Sequence, residues 1–583
     1  MAQCSFNPAS PDYADFIYHY AAPSQPLANS DQGILCMEYI TYNYAVVYVP
    51  LKSILPLSLE TYSYYSIPNL YTLLDTSSME AAGIQATLNT PAFSGGGKGV
   101  IVGLIDTGID YTNPLFRNPD GTTRLLGIWD QTLPEDTSQP APGVPEYVPL
   151  SGINYGTEFT EDALNQALAS ADPLALVPSR DTDGHGTFLA GIAAGGYTPD
   201  GSFNGAAPQS RLAVVKLKPA KEYLRDFFLL PPGVPAYQEN DIMMGVKYLQ
   251  VLAHRLRMPL VVLLGLGSNF GSHDGQTPLG ASLKNLTYYN GFVTVIAAGN
   301  ETGLGHHYEG TVPASEAYED VEIRVGAQEQ ERGFILELWA ASTDTYAVGF
   351  ISPGGETIRR VNLVSDAEIR IPFTLEPTVI TVSYLPIEPY SGRQLIFIRM
   401  QNPTAGIWRI RVYNSLYYTG SYNMWLPADG FISSETVFLR PTPYTTLTLP
   451  ADSESSITVS AYNHANNSIY IHSSRGFTLN GQIKPDLAAP GVSVYGPALR
   501  SPSGDYPMTR RTGTSVAAAH VAGAAANLLG WGIVEGNDPS MSEASIRAYL
   551  IRQAGRNPAL VYPNREWGYG TLNLYESLVR VRE

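Results

Sequence analysis

The chain has 583 residues, 44% of them apolar and only 15% charged, so it can bury a large core. At about 100–200 residues per domain, this length suggests two or three structural units. The 53 acidic and 35 basic side chains give a formal net charge of −18. This excess of acids argues against a nucleic-acid binder and against an anionic membrane surface as partner.

The N-terminus lacks the basic segment and apolar run of a signal peptide, and no apolar run approaches the ~18 residues of a membrane span. We therefore expect a chain that is made in the cytoplasm and has no membrane span. Two cysteines, Cys4 and Cys36, are too few for a disulfide framework or a cysteine zinc site. We expect them to be free thiols or to have no special role.

Residues 1–76 are rich in Tyr, Ser and Pro and contain a strand-like segment at 37–49, which predicts a small α+β unit. From there to residue 320, buried strands are predicted at 100–105, 212–217, 260–266 and 293–298. An apolar stripe with helical spacing predicts a helix over 242–256. Alternation of strands and helices predicts a parallel sheet covered by helices.

The pattern changes between residues 321 and 446, where helical periodicity gives way to short alternating strands separated by glycine turns. This predicts an inserted all-β unit, either a sandwich or a jelly roll. A strand at 456–461 and an alanine-rich helix from about 516 restore the α/β pattern over 447–583. The fold class is therefore α/β, interrupted by one β insert.

Three polar residues stand where predicted strands or helices begin or end. Asp106 ends a strand in Ile-Asp-Thr-Gly, His185 opens a helix in Asp-Gly-His-Gly-Thr, and Ser515 opens another in Gly-Thr-Ser. A serine hydroxyl becomes a nucleophile when an imidazole takes its proton, and a buried carboxylate fixes the tautomer of that imidazole. Alone, these residues could be a turn, a structural histidine and a helix N-cap. Together, in this order, they predict nucleophilic acyl transfer.

Asn300 adds a fourth element, because it follows the predicted strand 293–298 in the sequence Ala-Ala-Gly-Asn. In isolation this asparagine could simply cap the strand. Beside a nucleophilic serine, its side-chain amide would instead donate a hydrogen bond to the oxyanion of the tetrahedral intermediate.

These four segments resemble the subtilisin-like serine proteases in identity, order and local sequence, over roughly 77–320 and 447–583. The resemblance implies a subtilisin-like sheet, a triad of Asp106, His185 and Ser515, and an oxyanion donor at Asn300. It also assigns the walls of the primary specificity pocket to Gly265, Leu266, Gly267, Ala297, Ala298 and Gly299. It implies no cofactor. Many relatives carry a calcium-binding carboxylate nine residues after the triad aspartate, where Leu115 stands here, so we expect no metal at that position.

Within this family the chain resembles the clostridial Csp spore germination proteases, which share an N-terminal pro-region without a signal peptide and a β insert. That similarity implies that residues 1–76 act as an intramolecular chaperone and inhibitor, cleaved by the enzyme itself. We predict cleavage at Thr76–Ser77, within about four residues. It further implies a location within the spore, in the cortex or coat region. The implied substrate is the pro-form of a cortex-lytic enzyme, and the implied partners are the cleaved pro-region and related pseudoprotease subunits.

Two other functions stay open from sequence. The chain could be a catalytically dispensable scaffold or germinant-signalling partner on the same fold, or a general bacterial peptidase. Lys216 and Lys218 could line the substrate cleft and favour acidic substrates, or could be solvated surface lysines. His520, on the nucleophile helix, is interpreted as a helix-packing residue.

Overall fold

The computed structural model describes residues 6–19, 36–41, 43–73, 78–93, 95–134, 155–363, 367–416 and 418–580. The predicted processing residues Thr76 and Ser77 lie outside these ranges, as does Cys4. Cys36 is described and is disulfide-bonded, so the expectation of free thiols is wrong.

The N-terminal part contains the elements β1 (Tyr13–His19), β2 (Cys36–Tyr39), β3 (Tyr44–Pro50), β4 (Leu70–Leu73) and α1 (Ile84–Leu88). Strands β1, β3 and β2 form an antiparallel sheet in that order, so two strands replace the single segment predicted at 37–49. This sheet packs on the helices of the next part through shared apolar cores.

The first α/β part contains β5 (Ile101–Asp106), β6 (Leu125–Asp130), β7 (Thr157–Thr160), α2 (Glu161–Ala169), α3 (Pro173–Leu176), α4 (His185–Ala194), β8 (Arg211–Lys216), α5 (Glu222–Phe227), β9 (Tyr237–Gln238), α6 (Glu239–Leu256), β10 (Leu260–Leu264), β11 (Leu266–Gly267), α7 (Pro278–Thr287) and β12 (Phe292–Ala297). The apolar stripe predicted for 242–256 is the buried face of α6, except that Leu256 is exposed where the helix ends.

The insert contains β13 (His307–Thr311), β14 (Tyr318–Val325), β15 (Gly333–Ala341), β16 (Thr345–Ile351), β17 (Thr357–Ile358), β18 (Glu368–Pro372), β19 (Val379–Leu385), β20 (Arg393–Gln401), β21 (Gly406–Leu416), β22 (Ser421–Trp425) and β23 (Val437–Phe438). Two antiparallel sheets, β13-β22-β15-β20-β19-β18 and β17-β16-β21-β14-β23, enclose one apolar core. The insert therefore begins at His307, earlier than the expected 321, because β13 pairs with β22. The jelly-roll assignment stays a prediction.

The last part contains β24 (Ile457–Asn463), β25 (Ser468–Ile469), β26 (Leu487–Pro490), β27 (Val494–Pro497), β28 (Met508–Arg511), α8 (Thr514–Leu529), a π-helical turn (Gly530–Val534), α9 (Glu543–Arg552) and α10 (Leu574–Val579). Short 3-10 helices occur at Leu51–Ser53, Tyr64–Ser66, Glu80–Ala82, Pro91–Phe93, Pro114–Phe116 and Ala327–Glu331.

Both α/β parts build one central sheet in the order β25-β24-β12-β10-β5-β8-β6-β7, with β26 also paired to β24. Strands β26, β24, β12, β10, β5, β8 and β6 run parallel, and β7 and β25 are antiparallel to their neighbours. Because the carboxyl ends of parallel strands meet at one edge, the residues that end β5 and follow β10 and β12 converge there. That edge holds the candidate site.

Helix α8 lies at the centre of the molecule, and each of its residues is buried. Thr514–Val534 is long and apolar enough to cross a bilayer by length and composition, but 94% of its most apolar window is buried inside the protein. A helix that is apolar on all sides is expected when it is enclosed by a sheet and other helices. The composition of α8 is therefore explained by its place in the core.

Candidate active site

Asp106, His185 and Ser515 come together in a buried line. His185 Nδ1 lies 2.8 and 3.0 Å from the two carboxylate oxygens of Asp106, and His185 Nε2 lies 3.3 Å from Ser515 Oγ. The three residues are almost fully shielded from solvent. The carboxylate therefore fixes Nδ1 as a donor and leaves Nε2 to accept the serine proton, which is the geometry of a catalytic triad.

The strand and helices that carry the triad fix the positions of its three side chains. Asp106 is the last residue of β5, His185 is the first residue of α4, and Ser515 is the second residue of α8. The Thr107 hydroxyl accepts a hydrogen bond from the backbone N–H of Gly186, which ties the end of β5 to the start of α4. A Cβ on Gly186 would lie 2.2 Å from the Gly108 carbonyl oxygen, so only glycine permits this approach.

Asp181 holds the start of α4, and the sequence analysis missed it. One of its carboxylate oxygens accepts from the backbone N–H groups of Asp183 and Gly184, and the other accepts from the N–H and hydroxyl of Thr187. These bonds satisfy donors at the helix N-terminus that have no partner within the helix. The signal available in the sequence was an aspartate shortly before a predicted helix start.

Asn300 is oriented by the helix that carries the nucleophile. Its Oδ1 accepts hydrogen bonds from the backbone N–H of Thr514 at 3.1 Å and from the Thr514 hydroxyl at 3.2 Å. With Oδ1 occupied, Nδ2 is the group left to donate. The backbone N–H of Ser515 lies in the first turn of α8, where N–H groups favour negative charge. Both donors suit an oxyanion beside Ser515.

The predicted substrate walls lie beside the triad. A Cβ on Gly265 would lie 3.1 Å from Ser515 Cβ and 3.2 Å from His185 Cε1, so this glycine borders the reacting atoms. Leu266 and Gly267 form β11, and Ala297, Ala298 and Gly299 are the buried end of β12 and the two residues after it. The structure therefore brings all six predicted wall residues to the sheet edge that carries the triad.

Thr448 lies between the two walls, and the sequence analysis did not identify it. A Cβ on Gly267 would lie 2.3 Å from Thr448 Oγ1, and a Cβ on Gly299 would lie 2.6 Å from both Oγ1 and Cγ2 of the same threonine. The backbone N–H of Thr448 donates to the Ala298 carbonyl at 3.0 Å. The Thr448 side chain thus fills the space that the two glycines leave open. Its position just after the β insert gave no local signal.

A segment of the predicted pro-region is paired with the substrate wall. Strand β4 is antiparallel to β11 on one side, with Leu73 opposite Leu266 and Thr72 opposite Gly267. On its other side β4 is antiparallel to β9. Addition of an extended segment to strand edges is a general mode of peptide recognition. Strand β4 therefore occupies the cleft in the manner of a bound peptide.

His520 contacts the chain on the other side of the predicted cleavage point. Its Nδ1 donates to the Val516 carbonyl at 2.7 Å, so its Nε2 accepts the backbone N–H of Ser78 at 3.0 Å. Burial lowers the pKa of His520 to about 3, which keeps the ring neutral and able to accept. His520 packs within the helix region as expected and also anchors Ser78 to α8.

The two lysines considered for the cleft have other partners. Lys216 Nζ lies 3.1 Å from a carboxylate oxygen of Asp130, and the buried Lys218 Nζ lies 2.5 Å from one of Asp241. Neither lysine is therefore a free cation for acidic substrates. Within the described residues, no group of three or more His, Cys, Asp or Glu side chains is placed to hold a metal ion, and Leu115 is buried.

Comparison with known proteins agrees with this geometry. The model of the subtilase family matches residues 97–365 and 441–570. The chain belongs to the subtilase family. Asp106, His185, Asn300 and Ser515 all lie within the matched residues.

Individual relatives differ in how much of the chain they cover. The CspB protease of Clostridium perfringens is 31% identical, with a TM-score of 0.73 over 86% of this chain and 96% of that one. The subtilisin-like protease SBT2.2 of Arabidopsis thaliana is 30% identical over 157 residues, and SBT3 of Solanum lycopersicum is 34% identical over 135 residues. These plant matches cover 22% and 21% of this chain, and only 18% and 16% of the relatives' own lengths.

Proposed function

We propose that this subtilase cleaves its own N-terminal region and then activates the pro-form of a cortex-lytic enzyme during spore germination. One observation carries the proposed self-cleavage: the strand β4 of the predicted pro-region pairs with β11 next to an assembled triad. The similarity to the CspB protease supports the proposed activation of a cortex-lytic enzyme. The triad geometry favours an active enzyme over a catalytically dispensable scaffold.

The reaction follows from the positions of the side chains. Ser515 Oγ attacks the carbonyl carbon while His185 Nε2 takes its proton, and Asp106 holds Nδ1 and stabilises the imidazolium that forms. The oxyanion accepts from Asn300 Nδ2 and from the backbone N–H of Ser515. His185 then gives its proton to the leaving amine. A water molecule repeats the sequence on the acyl-enzyme and regenerates the Ser515 hydroxyl.

The strand register narrows the cleavage site. Leu73 pairs with Leu266 and Thr72 pairs with Gly267, so β4 runs antiparallel to β11. Strand β4 therefore runs toward Gly265, which borders Ser515 and His185. We therefore expect cleavage between 74 and 77, inside the range predicted around Thr76–Ser77. The anchor of Ser78 to His520 fits a chain held on both sides of the cleaved bond.

The released region would stay docked and block the cleft, because β4 already fills it and the β1-β3-β2 sheet shares apolar cores with the rest of the chain. A docked inhibitor favours a selective processing protease over a general bacterial peptidase. Related pseudoprotease subunits are the further partners that we propose, and the spore cortex or coat region is the proposed location.

The test has two arms. Purified protein is analysed on a denaturing gel and by N-terminal sequencing, where we expect a new N-terminus at residues 75–77 and two co-eluting fragments. The cleaved protein, separated from its docked pro-region, is then incubated with the purified pro-form of a cortex-lytic enzyme, where we expect cleavage at a single site. A full-length chain that leaves the pro-form intact would instead support the scaffold. Broad digestion of casein would support the general peptidase.

A further inference from the structure

The six-stranded sheet of the insert is buried on both faces. Along β15, Phe334, Leu336 and Leu338 belong to the core between the two sheets, whereas Ile335 and Trp339 belong to a different core. Residues alternate between the faces of a strand, so β15 presents a second apolar face outside the sandwich. That face also includes Leu395 and Phe397 of β20, Trp425 of β22 and Phe431.

The predicted pro-region covers much of this second face. The same core contains Phe16, Val47 and Leu70 from residues 1–76, and Phe227 and Phe270 from the α/β part. Three units of the chain thus share one apolar core. Direct aromatic contacts join two of them: the ring centroid of Tyr64 lies 5.4 Å from that of Trp339 and 6.2 Å from that of Phe397, and Tyr65 lies 5.4 Å from Tyr390.

A buried carboxylate, Glu337, stands at the meeting point of the three units. Its Oε1 accepts from the hydroxyl of Tyr64 at 2.5 Å, and its Oε2 accepts from the backbone N–H of Gly271 and from Trp339 Nε1, both at 2.9 Å. The donors come from the predicted pro-region, the α/β part and the insert, one each. Burial raises the pKa of Glu337 to about 7, against the lowering effect of these hydrogen bonds. Loss of any of these donors would leave a buried carboxylate oxygen without its hydrogen bond, which costs free energy.

We propose that the insert is a second binding site for the pro-region, in which Glu337 holds Tyr64 and so retains the pro-region after self-cleavage. This inference rests on the proposed self-cleavage. Loss of the pro-region would remove one donor from the Glu337 carboxylate and expose the outer face of β15 and β20. The insert and the cleft thus hold the pro-region at two places, Tyr64 and β4.

The experiment compares two buried glutamates of the insert. Glu337→Gln changes the carboxylate that Tyr64 contacts. Glu329→Gln is the matched control, because Glu329 is buried and lies in the same insert. Its carboxylate accepts hydrogen bonds from Ser433 and Thr436, which both belong to the insert. Tyr64→Phe removes the donor from the pro-region side and leaves the insert unaltered.

Cleaved proteins are passed over a size-exclusion column in increasing urea, and the fraction of pro-region that co-elutes is measured. We expect Glu337→Gln and Tyr64→Phe to raise the fraction of free pro-region at least tenfold at a fixed urea concentration, and Glu329→Gln to match the natural sequence. Equal release from Glu337→Gln and Glu329→Gln, or retention in both Glu337→Gln and Tyr64→Phe, would overturn the proposal.

A second measurement separates this proposal from self-cleavage. In uncleaved Ser515→Ala protein, hydrogen exchange is followed in β1 and β3 with each glutamate variant added. We expect faster exchange there with Glu337→Gln than with Glu329→Gln, and identical rates would contradict the proposal. If protein with an intact triad yields no pro-region fragment, the self-cleavage proposal fails. The exchange rates would still test whether Glu337 holds the pro-region.

Discussion

Asn300 shows how a single side chain is prepared for catalysis by its neighbours. An asparagine amide can donate from Nδ2 or accept at Oδ1, and the two Thr514 donors select one orientation by occupying Oδ1. Because Thr514 immediately precedes the nucleophile, the same helix turn positions Ser515 and orients its oxyanion donor. Substitutions at Asn300 or Thr514 should therefore weaken stabilisation of the transition state.

Asn300→Ala should lower kcat by about 10²–10³ with little change in KM, a magnitude measured for one such donor in this same family. The physical reason is that the amide bonds the oxyanion more strongly than the ground-state carbonyl. Steady-state kinetics on a peptide substrate measure both constants. A change confined to KM would show that Asn300 binds substrate and does not stabilise the transition state.

Ser515→Ala should abolish peptide hydrolysis and leave the chain at full length, because the same hydroxyl is proposed to perform both reactions. Its far-ultraviolet circular dichroism should match that of the natural sequence, since the substitution removes one oxygen from a well-packed helix. Mass spectrometry and a peptide assay measure the outcome. Continued self-cleavage by this variant would contradict the assignment of the nucleophile.

Thr448→Ala should shift substrate preference toward larger side chains at the primary pocket. The substitution removes Oγ1 and Cγ2, the atoms that lie between Gly267 and Gly299. We expect kcat/KM for a phenylalanine peptide, relative to a leucine peptide, to rise about tenfold or more, since pocket volume changes of this size discriminate by that order. Thr446→Ala, at a buried threonine two residues earlier, is the control. An unchanged ratio in Thr448→Ala would place the pocket elsewhere.

At the scale of elements, the first turn of α9 carries a carboxylate in an apolar setting. Glu543 is buried, and it accepts from the backbone N–H and the hydroxyl of Thr294 on β12. Burial raises its pKa from 4.5 to about 8, and nearby Lys484 only partly opposes this effect. The junction between α9 and the central sheet should therefore be sensitive to pH.

A raised carboxyl pKa means that the folded protein holds a proton that the unfolded chain releases. The stability linked to Glu543 is present below pH 4.5 and is lost as pH rises toward 8, by up to about 1.4 kcal/mol per pH unit. Glu543→Gln mimics the protonated form and should reduce the fall in thermal midpoint between pH 5 and 8. Calorimetry at pH 5 and at pH 8 measures the two thermal midpoints, with Glu454→Gln at an exposed glutamate as control. An equal fall in thermal midpoint in Glu543→Gln and the natural sequence would refute the role of Glu543.

At the scale of the whole molecule, the N-terminal sheet is joined to the α/β part by buried charges as well as by apolar contacts. Lys221 Nζ lies 2.8 Å from Asp15 Oδ1 and also donates to the carbonyls of Pro8 and Tyr13. Both ends of the pair are buried. A buried pair is costly to break because the remaining charge loses its partner.

Asp15→Ala should therefore destabilise the protein by about 3–5 kcal/mol and loosen the N-terminal sheet first. The control is Glu454→Ala, which removes one end of the exposed pair with Lys284 and should cost about 1 kcal/mol or less. Urea denaturation followed by hydrogen exchange in β1 and β3 measures both effects. If the two variants lose the same free energy of unfolding, the Asp15–Lys221 pair behaves as a surface pair.

The sequence by itself determined the triad, Asn300, the parallel strands and the presence of a β insert, because each depends on a local pattern: a motif at an element end, a run of buried residues, or a change of period. Tertiary structure alone decided the contacts of Thr448, Glu337 and Tyr64, and the partners of Lys216 and Lys218. These contacts join segments far apart in the chain, such as Tyr64 and Glu337, which are 273 residues apart. Local propensity carries no information about which distant side chain fills a pocket or neutralises a buried charge.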